Sequence, residues 1–187
     1  MRGPDSLTIR SARLRGDADL VDIVVRDGIV SAITPAGHAG SDGTEVDAAG
    51  NLVTESFVNT HLHLDKVFTL KHLGDAALAD YQSGDMGKAM SAIETAAAVK
   101  RGQDADVMLA AGRRAVAMAA YYGNTHIRAL ADVDSKAETR GVEVLVALRD
   151  EFAGIVDLQV VAFAQDGIIR EPGTEALLRA SMDLGAD

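Results

Sequence analysis

The feature that most constrains the fold is a regular alternation of strand and helix patterns that begins near residue 57. Short apolar runs, typical of buried strands, occupy 57–64, 125–133 and 155–164. Helical periodicity follows at 86–100, 104–122, 136–152 and 174–184. Strands that alternate with helices form a parallel sheet, open or closed into a barrel, and ligands bind at the carboxyl ends of its strands. The sequence therefore predicts an α/β fold for this part of the chain.

The residues before this alternation have a different pattern. Short β patterns occupy 7–14, 20–25, 29–33 and 45–53, and no helix fits among them. Arg26-Asp27-Gly28 separates two of these runs and is typical of a turn that closes a hairpin. The first 55 residues or so are therefore predicted to be β structure.

Composition and charge exclude several classes of function. The chain has 187 residues, with 18 Lys and Arg against 28 Asp and Glu, which gives a formal net charge of −10. Such a charge and the absence of a basic patch argue against nucleic acid as a partner. No apolar run is long enough for a membrane span, so we expect a cytoplasmic protein. Because the chain has no Cys, any metal ion must be bound by His and carboxylate side chains.

His61-Leu62-His63 is the motif that carries chemistry. Alternate residues of a strand lie on the same face, so two imidazoles one residue apart can bind one metal ion from one side. Two histidines on a surface strand are also common without a metal, and the motif alone leaves both interpretations open. Its position at the carboxyl end of the first strand of the α/β region favours a functional site.

Several segments resemble the amidohydrolase superfamily. Residues 50–66 are similar to the signature at the start of that barrel, and 26–30 to a hairpin of its small N-terminal domain. Residues 123–134 and 156–167 are similar to the second and third strands of the cytosine deaminase and N-isopropylammelide amidohydrolase group. Residues 64–69 are similar to the N-isopropylammelide amidohydrolases in particular.

This resemblance implies a site. In that group the histidines at the positions of His61 and His63 bind a single divalent ion, Zn or Fe, which activates water. The residue matching Gln165 hydrogen-bonds the substrate ring, although spacing alone favours a polar residue at a strand end. The remaining metal ligands and the general acid/base lie on later strands, so we expect them beyond Asp187. No Lys lies in the second or third strand, which agrees with a site for one metal ion.

Other polar residues near the motif have simpler interpretations. Asp132 and Asp134 are expected to fix the turn after their strand, and His126 to be structural. Asp65 and Lys66 could belong to the site or form loop hydrogen bonds, and the sequence does not decide between the two.

The chain also departs from the family pattern at two places. Glu55-Ser56 replaces a Pro-containing pair, and Ala129-Leu130 replaces a Thr-His pair. The second departure removes a polar group near the pocket, which makes cytosine itself a doubtful substrate and leaves the class of N-heterocycle open.

Together these observations predict an α/β protein with two parts. Residues 1–55 are interpreted as the N-terminal part of a small β-sandwich domain, and 56–187 as the first three βα units of a (β/α)8 barrel that is incomplete at its C-terminal end. The predicted function is metal-dependent hydrolysis of C–N bonds in a cytosine- or triazine-like N-heterocycle, active only with the missing part. The sequence leaves open a homo-oligomer, a cyclic amidase of the dihydroorotase or hydantoinase type, and a non-catalytic half-barrel.

Overall fold

The structure is a computed structural model that describes residues 6–40, 43–69, 75, 79, 82–87 and 104–187. The chain divides into two compact units, Met1–Ser56 and Phe57–Asp187. The helix predicted over 86–100 lies outside the described residues beyond Gly87. None of the helices in the described ranges is both long and apolar enough to cross a membrane.

The first unit contains a four-stranded sheet. Its strands are β1 (Ser6–Arg13), β2 (Leu20–Arg26), β3 (Ile29–Pro35) and β4 (Thr44–Asp47). They lie in the order β3-β2-β1-β4, with β1 antiparallel to β2, β2 antiparallel to β3, and β4 parallel to β1.

Turn residues set the strand ends in this sheet. Asp27 and Gly28 have φ angles of 51° and 77°, the two left-handed residues that a tight hairpin turn requires, and the predicted hairpin is confirmed. The strand predicted over 45–53 is shorter in the structure. It ends at Asp47 because Ala49 and Gly50, at φ 51° and 75°, turn the chain.

The buried carboxylate of Asp22 connects several segments of the first unit by hydrogen bonds. Asp22 on β2 is fully buried and accepts hydrogen bonds from Arg10 Nη1 at 3.0 Å and from the backbone N–H groups of Ser11 at 3.1 Å and Gly37 at 2.9 Å. One side chain therefore links β1, β2 and the segment after β3.

The second unit is a parallel sheet covered by helices. Its elements are β5 (Phe57–Leu62), α1 (Ala105–Tyr121), β6 (Asn124–Asp132), α2 (Arg140–Glu151), β7 (Asp157–Phe163) and α3 (Thr174–Asp183). The sheet order is β5-β6-β7 with both pairs parallel. Ile127, Ala129 and Ala131 of β6 belong to an apolar core that also contains residues of α1, α2 and β7. The α/β class is confirmed, while barrel closure and a two-sheet sandwich stay predictions.

The helix boundaries follow local chemistry. Asp104 caps α1 by accepting the backbone N–H of Asp106 at 2.7 Å, as its sequence position predicts. Helix α2 begins at Arg140 rather than at the predicted residue 136, because Glu138 has a φ of 54° and Asp134 accepts the backbone N–H groups of Lys136 and Ala137. The turn between β6 and α2 is therefore longer than the helical periodicity indicates.

Candidate metal centre

The two histidines of the motif lie at the carboxyl end of β5: His61 is in the strand, and His63 directly follows its last residue, Leu62. Leu62, which lies between them, packs against the apolar core, and Leu64 is fully buried within it. The rings of His61 and His63 instead contact each other, with centroids 5.1 Å apart and an interplanar angle of 63°. His61 is exposed, and His63 also contacts the ring of Phe163 at the end of β7. Two adjacent imidazoles are what a shared metal ion requires, and their role as ligands stays a prediction.

Two buried carboxylates lie beside His63. Its Nδ1 atom is 3.4 Å from Asp132 Oδ1 and 3.8 Å from Asp65 Oδ1. Asp132 is the last residue of β6, and the parallel pairing of β5 with β6 brings the ends of the two strands together. One ligand atom from each of these three residues lies within 4.8 Å of the others, close enough to bind one ion.

Hydrogen bonds fix both carboxylates. The backbone N–H of Asp132 donates to Asp65 Oδ2 at 2.9 Å, and Lys66 Nζ donates to Asp132 Oδ2 at 2.8 Å. Burial raises the pKa of the Asp65 carboxyl, and the negative charge of Asp132 raises it further. Lys66 supplies the positive charge that stabilises this pair of acids.

The residues present fit a divalent metal ion. Imidazole nitrogens and carboxylate oxygens are donors that suit zinc and iron. In the described part of the chain, His63 Nδ1 and Asp65 Oδ1 are buried and make no hydrogen bond. Buried polar atoms are rarely left in this state, so these two atoms require a proton or a positive group beside them.

Known proteins resemble this chain over nearly its whole length. No protein-family model matches it. It is 34% identical over 193 residues to N-isopropylammelide isopropyl amidohydrolase of Pseudomonas sp. (strain ADP), a match that covers 97% of this chain and 44% of that protein. The resemblance to the amidohydrolase superfamily is confirmed.

Solved structures support the same likeness. N-isopropylammelide isopropylaminohydrolase from Burkholderia multivorans ATCC 17616 has a TM-score of 0.76 and 28% identity, and covers 97% of this chain and 43% of that one. A 5-methylcytosine deaminase from Klebsiella pneumoniae, liganded with phosphonocytosine, has a TM-score of 0.76 and 27% identity over 96% of this chain and 42% of that one. The chain thus spans less than half the length of these relatives.

Gln165 lies two residues beyond the end of β7, at the same edge of the sheet as the histidines. Its backbone N–H donates to Phe163 O at 2.9 Å, and the residue is exposed. Its side-chain amide makes no hydrogen bond to the residues that the structure describes. The structure therefore leaves its donor and acceptor open to a ligand, and its predicted role in substrate binding stays a prediction.

The structure separates the other polar residues of the sequence analysis. Asp134 fixes the turn after β6, as predicted. Asp132 does not: the interpretation of Asp132 as a turn residue is wrong, because its side chain pairs with Lys66 and approaches His63. Its strand parity and its position at the end of β6 could have indicated this. His126 is exposed near the amino end of β6, where Thr125 Oγ1 lies 2.8 Å from its Nδ1.

Proposed function

We propose that this chain provides the metal-binding and ring-recognition part of a hydrolase that cleaves a C–N bond of a cytosine- or triazine-like N-heterocycle. The observation that carries the proposal is the adjacent pair of rings, His61 and His63, at the carboxyl end of a parallel sheet. The amidohydrolases and deaminases that the chain resembles support it, and one relative was solved with phosphonocytosine.

Each residue of the site has a task in this proposal. His61 and His63 hold one divalent ion, zinc or iron, which when bound supplies a Lewis acid and a water of lowered pKa. Phe163 packs edge-on against the His63 ring, with centroids 5.7 Å apart. Gln165 offers both a donor and an acceptor, which match the N–H and C=O edge of a pyrimidine or triazine.

No general acid or base is assigned within the described residues. Asp65 and Asp132, the carboxylates beside His63, are held by the backbone of β6 and by Lys66. Proton transfer to the departing amine therefore requires another group.

The finer features of the proposal concern the whole protein. We assign residues 1–55 to the N-terminal part of a small β-sandwich domain and residues 56–187 to the first three βα units of an amidohydrolase barrel. The two compact units Met1–Ser56 and Phe57–Asp187 support this division. The net charge of −10 supports a small-molecule substrate rather than a nucleic acid, and we propose that the protein is cytoplasmic. A homo-oligomer is compatible with these features.

Metal content tests the centre directly. After equilibration with Zn²⁺ and dialysis, we expect about one ion per chain by elemental analysis. The double variant His61→Ala/His63→Ala should lose most of it, whereas His126→Ala, at the other end of the sheet, should retain it. Unchanged zinc in the double variant contradicts the assignment.

Product analysis tests the reaction class. The assay uses the complete hydrolase to which this chain is proposed to belong, because no general acid or base is assigned within the described residues. The Zn²⁺- or Fe²⁺-loaded enzyme is incubated with cytosine, 5-methylcytosine and N-isopropylammelide, and released ammonia or alkylamine is measured. Release that disappears in the double variant supports the proposal. A ring-opened product points instead to a cyclic amidase, and absence of turnover on every compound contradicts hydrolysis of this substrate class.

A further inference from the structure

Two buried acids beside His63, Asp65 and Asp132, have no role in the metal centre proposed above. His63 Nδ1 makes no hydrogen bond to the described part of the chain, yet Asp132 Oδ1 lies 3.4 Å from it. A hydrogen bond between an imidazole N–H and a carboxylate is about 2.7–2.9 Å long. The distance between His63 Nδ1 and Asp132 Oδ1 is about 0.5 Å longer than this, so one of the two groups must move by that much to form the bond.

We propose that Asp132, anchored by Lys66, is a positioning residue that holds His63 as its Nδ1–H tautomer and leaves Nε2 to bind the metal ion. This inference rests on the proposed function, since it assumes that His63 is a ligand. Metal-binding histidines commonly donate their second ring N–H to a carboxylate, which fixes both the tautomer and the ring orientation.

The contacts select Asp132 over Asp65 for this role. Asp132 Oδ1 is the closer of the two oxygens, at 3.4 Å against 3.8 Å. Asp65 has a different task, because its Oδ2 accepts the backbone N–H of Asp132 and so joins the loop after β5 to the end of β6.

Lys66 makes Asp132 a poor metal ligand and a good hydrogen-bond acceptor. Its ammonium lies 2.8 Å from Asp132 Oδ2, and both groups are largely shielded, with side-chain exposures of 32% and 2%. A cation beside this carboxylate opposes the approach of a second cation. It also holds the carboxylate in one orientation, with the other oxygen toward His63.

The tautomer of His63 tests the inference without any metal. Long-range ¹H–¹⁵N correlation spectra of the metal-free protein, at alkaline pH where imidazole is neutral, should show His63 protonated on Nδ1. In Asp132→Asn, Lys66 will attract the amide oxygen, and the NH₂ group will face His63. Because Nδ1 must then accept a hydrogen bond, the ring should switch to the Nε2–H tautomer.

A double variant separates this effect from a loss of packing. In Lys66→Met/Asp132→Asn the ammonium is absent, so the amide oxygen is free to turn toward His63 and restore the Nδ1–H tautomer. Asp134→Asn is the matched control, because Asp134 is also a buried acid after β6 and accepts the backbone N–H groups of Lys136 and Ala137. It should leave the His63 signals unchanged.

Zinc affinity, measured by calorimetry, tests whether the His63 tautomer affects metal binding. Asp132→Asn should weaken Zn²⁺ binding by roughly 10–100-fold, and the double variant should recover part of that loss. Persistence of the Nδ1–H tautomer in Asp132→Asn contradicts the inference. Loss of zinc binding as complete as in His63→Ala also contradicts it, since Asp132 would then be a ligand itself. Zinc binding that is unchanged when both His61 and His63 are replaced by Ala contradicts the proposed function instead.

Discussion

His63 and His126 show that a residue type acquires a role from its surroundings. His126 lies in β6, whereas His63 directly follows the carboxyl end of β5 and lies against Phe163 and two buried acids. His126 lies near an amino end, 57% exposed, with Asp157 3.9 Å from its ring. The first environment restricts the ring to fewer orientations, because an exposed side chain pays rotamer entropy to hold one geometry.

Gln165 provides a prediction at the same scale. If its amide pairs with the ring edge of the substrate, Gln165→Leu should leave the metal content intact. In the complete hydrolase it should lower kcat/KM by roughly 10–100-fold, the cost of about 1–3 kcal/mol for a lost buried hydrogen bond. Gln159→Leu is a control, because Gln159 lies on β7 and accepts from Arg128 Nε. Unchanged kinetics for Gln165→Leu would leave this residue as part of a loop.

The elements were predictable where one local signal decides them. Asp27-Gly28 fixes the hairpin between β2 and β3, and Asp104 fixes the start of α1. The start of α2 was not predictable, because the helical periodicity extends over residues that lie in a turn. Asp134 and Glu138, which has a left-handed backbone, hold them there.

The candidate site was predictable only in part. Strand alternation places His61 beside His63, but the approach of Asp132 depends on which strands become neighbours. The parity of Asp132 on β6 indicates which face of the sheet it lies on, but its distance from His63 is a long-range contact that no local pattern fixes. The ion pair of Lys66 was equally hard to predict, because its partner, Asp132, is 66 residues away along the chain.

Strands β1 and β2 carry a prediction on pH. Burial acts to raise the pKa of Asp22, but hydrogen bonds from the Ser11 backbone, Arg10 and the loop after β3 outweigh it, and the pKa of this carboxyl is lowered. A lowered folded-state pKa stabilises the fold above the ordinary carboxyl pKa of about 3.9, and this stabilisation is lost as the pH falls through the folded-state value.

Urea unfolding followed by the NMR signals of Ile23 and Val24 measures this effect. Asp22→Asn should destabilise the sheet by about 1–3 kcal/mol at pH 7 and should show less loss of stability in acid than the wild type. The exposed Asp19→Asn should behave like the wild type. An Asp22→Asn variant as stable as the wild type at pH 7 would show that this carboxylate is not what joins β1, β2 and the loop.

At the scale of the molecule, the two units contribute differently to the account. The four-stranded sheet of Met1–Ser56 is stabilised by Asp22 and a small core, and no residue of the proposed centre lies in it. All proposed ligands and contacts lie in Phe57–Asp187, at the carboxyl edge of β5, β6 and β7. The chain spans 44% of the N-isopropylammelide isopropyl amidohydrolase that it resembles. The proposed chemistry therefore rests on the residues of the site and not on the activity of that protein.

Anomalous diffraction at the zinc absorption edge, on crystals grown with Zn²⁺, tests the central claim most directly. The account predicts one peak about 2.0–2.1 Å from a ring nitrogen of both His61 and His63, with Nε2 as the ligand atom of His63 and Asp132 on its Nδ1 side. A peak among His63 Nδ1, Asp65 and Asp132, or no peak at either histidine, would contradict it.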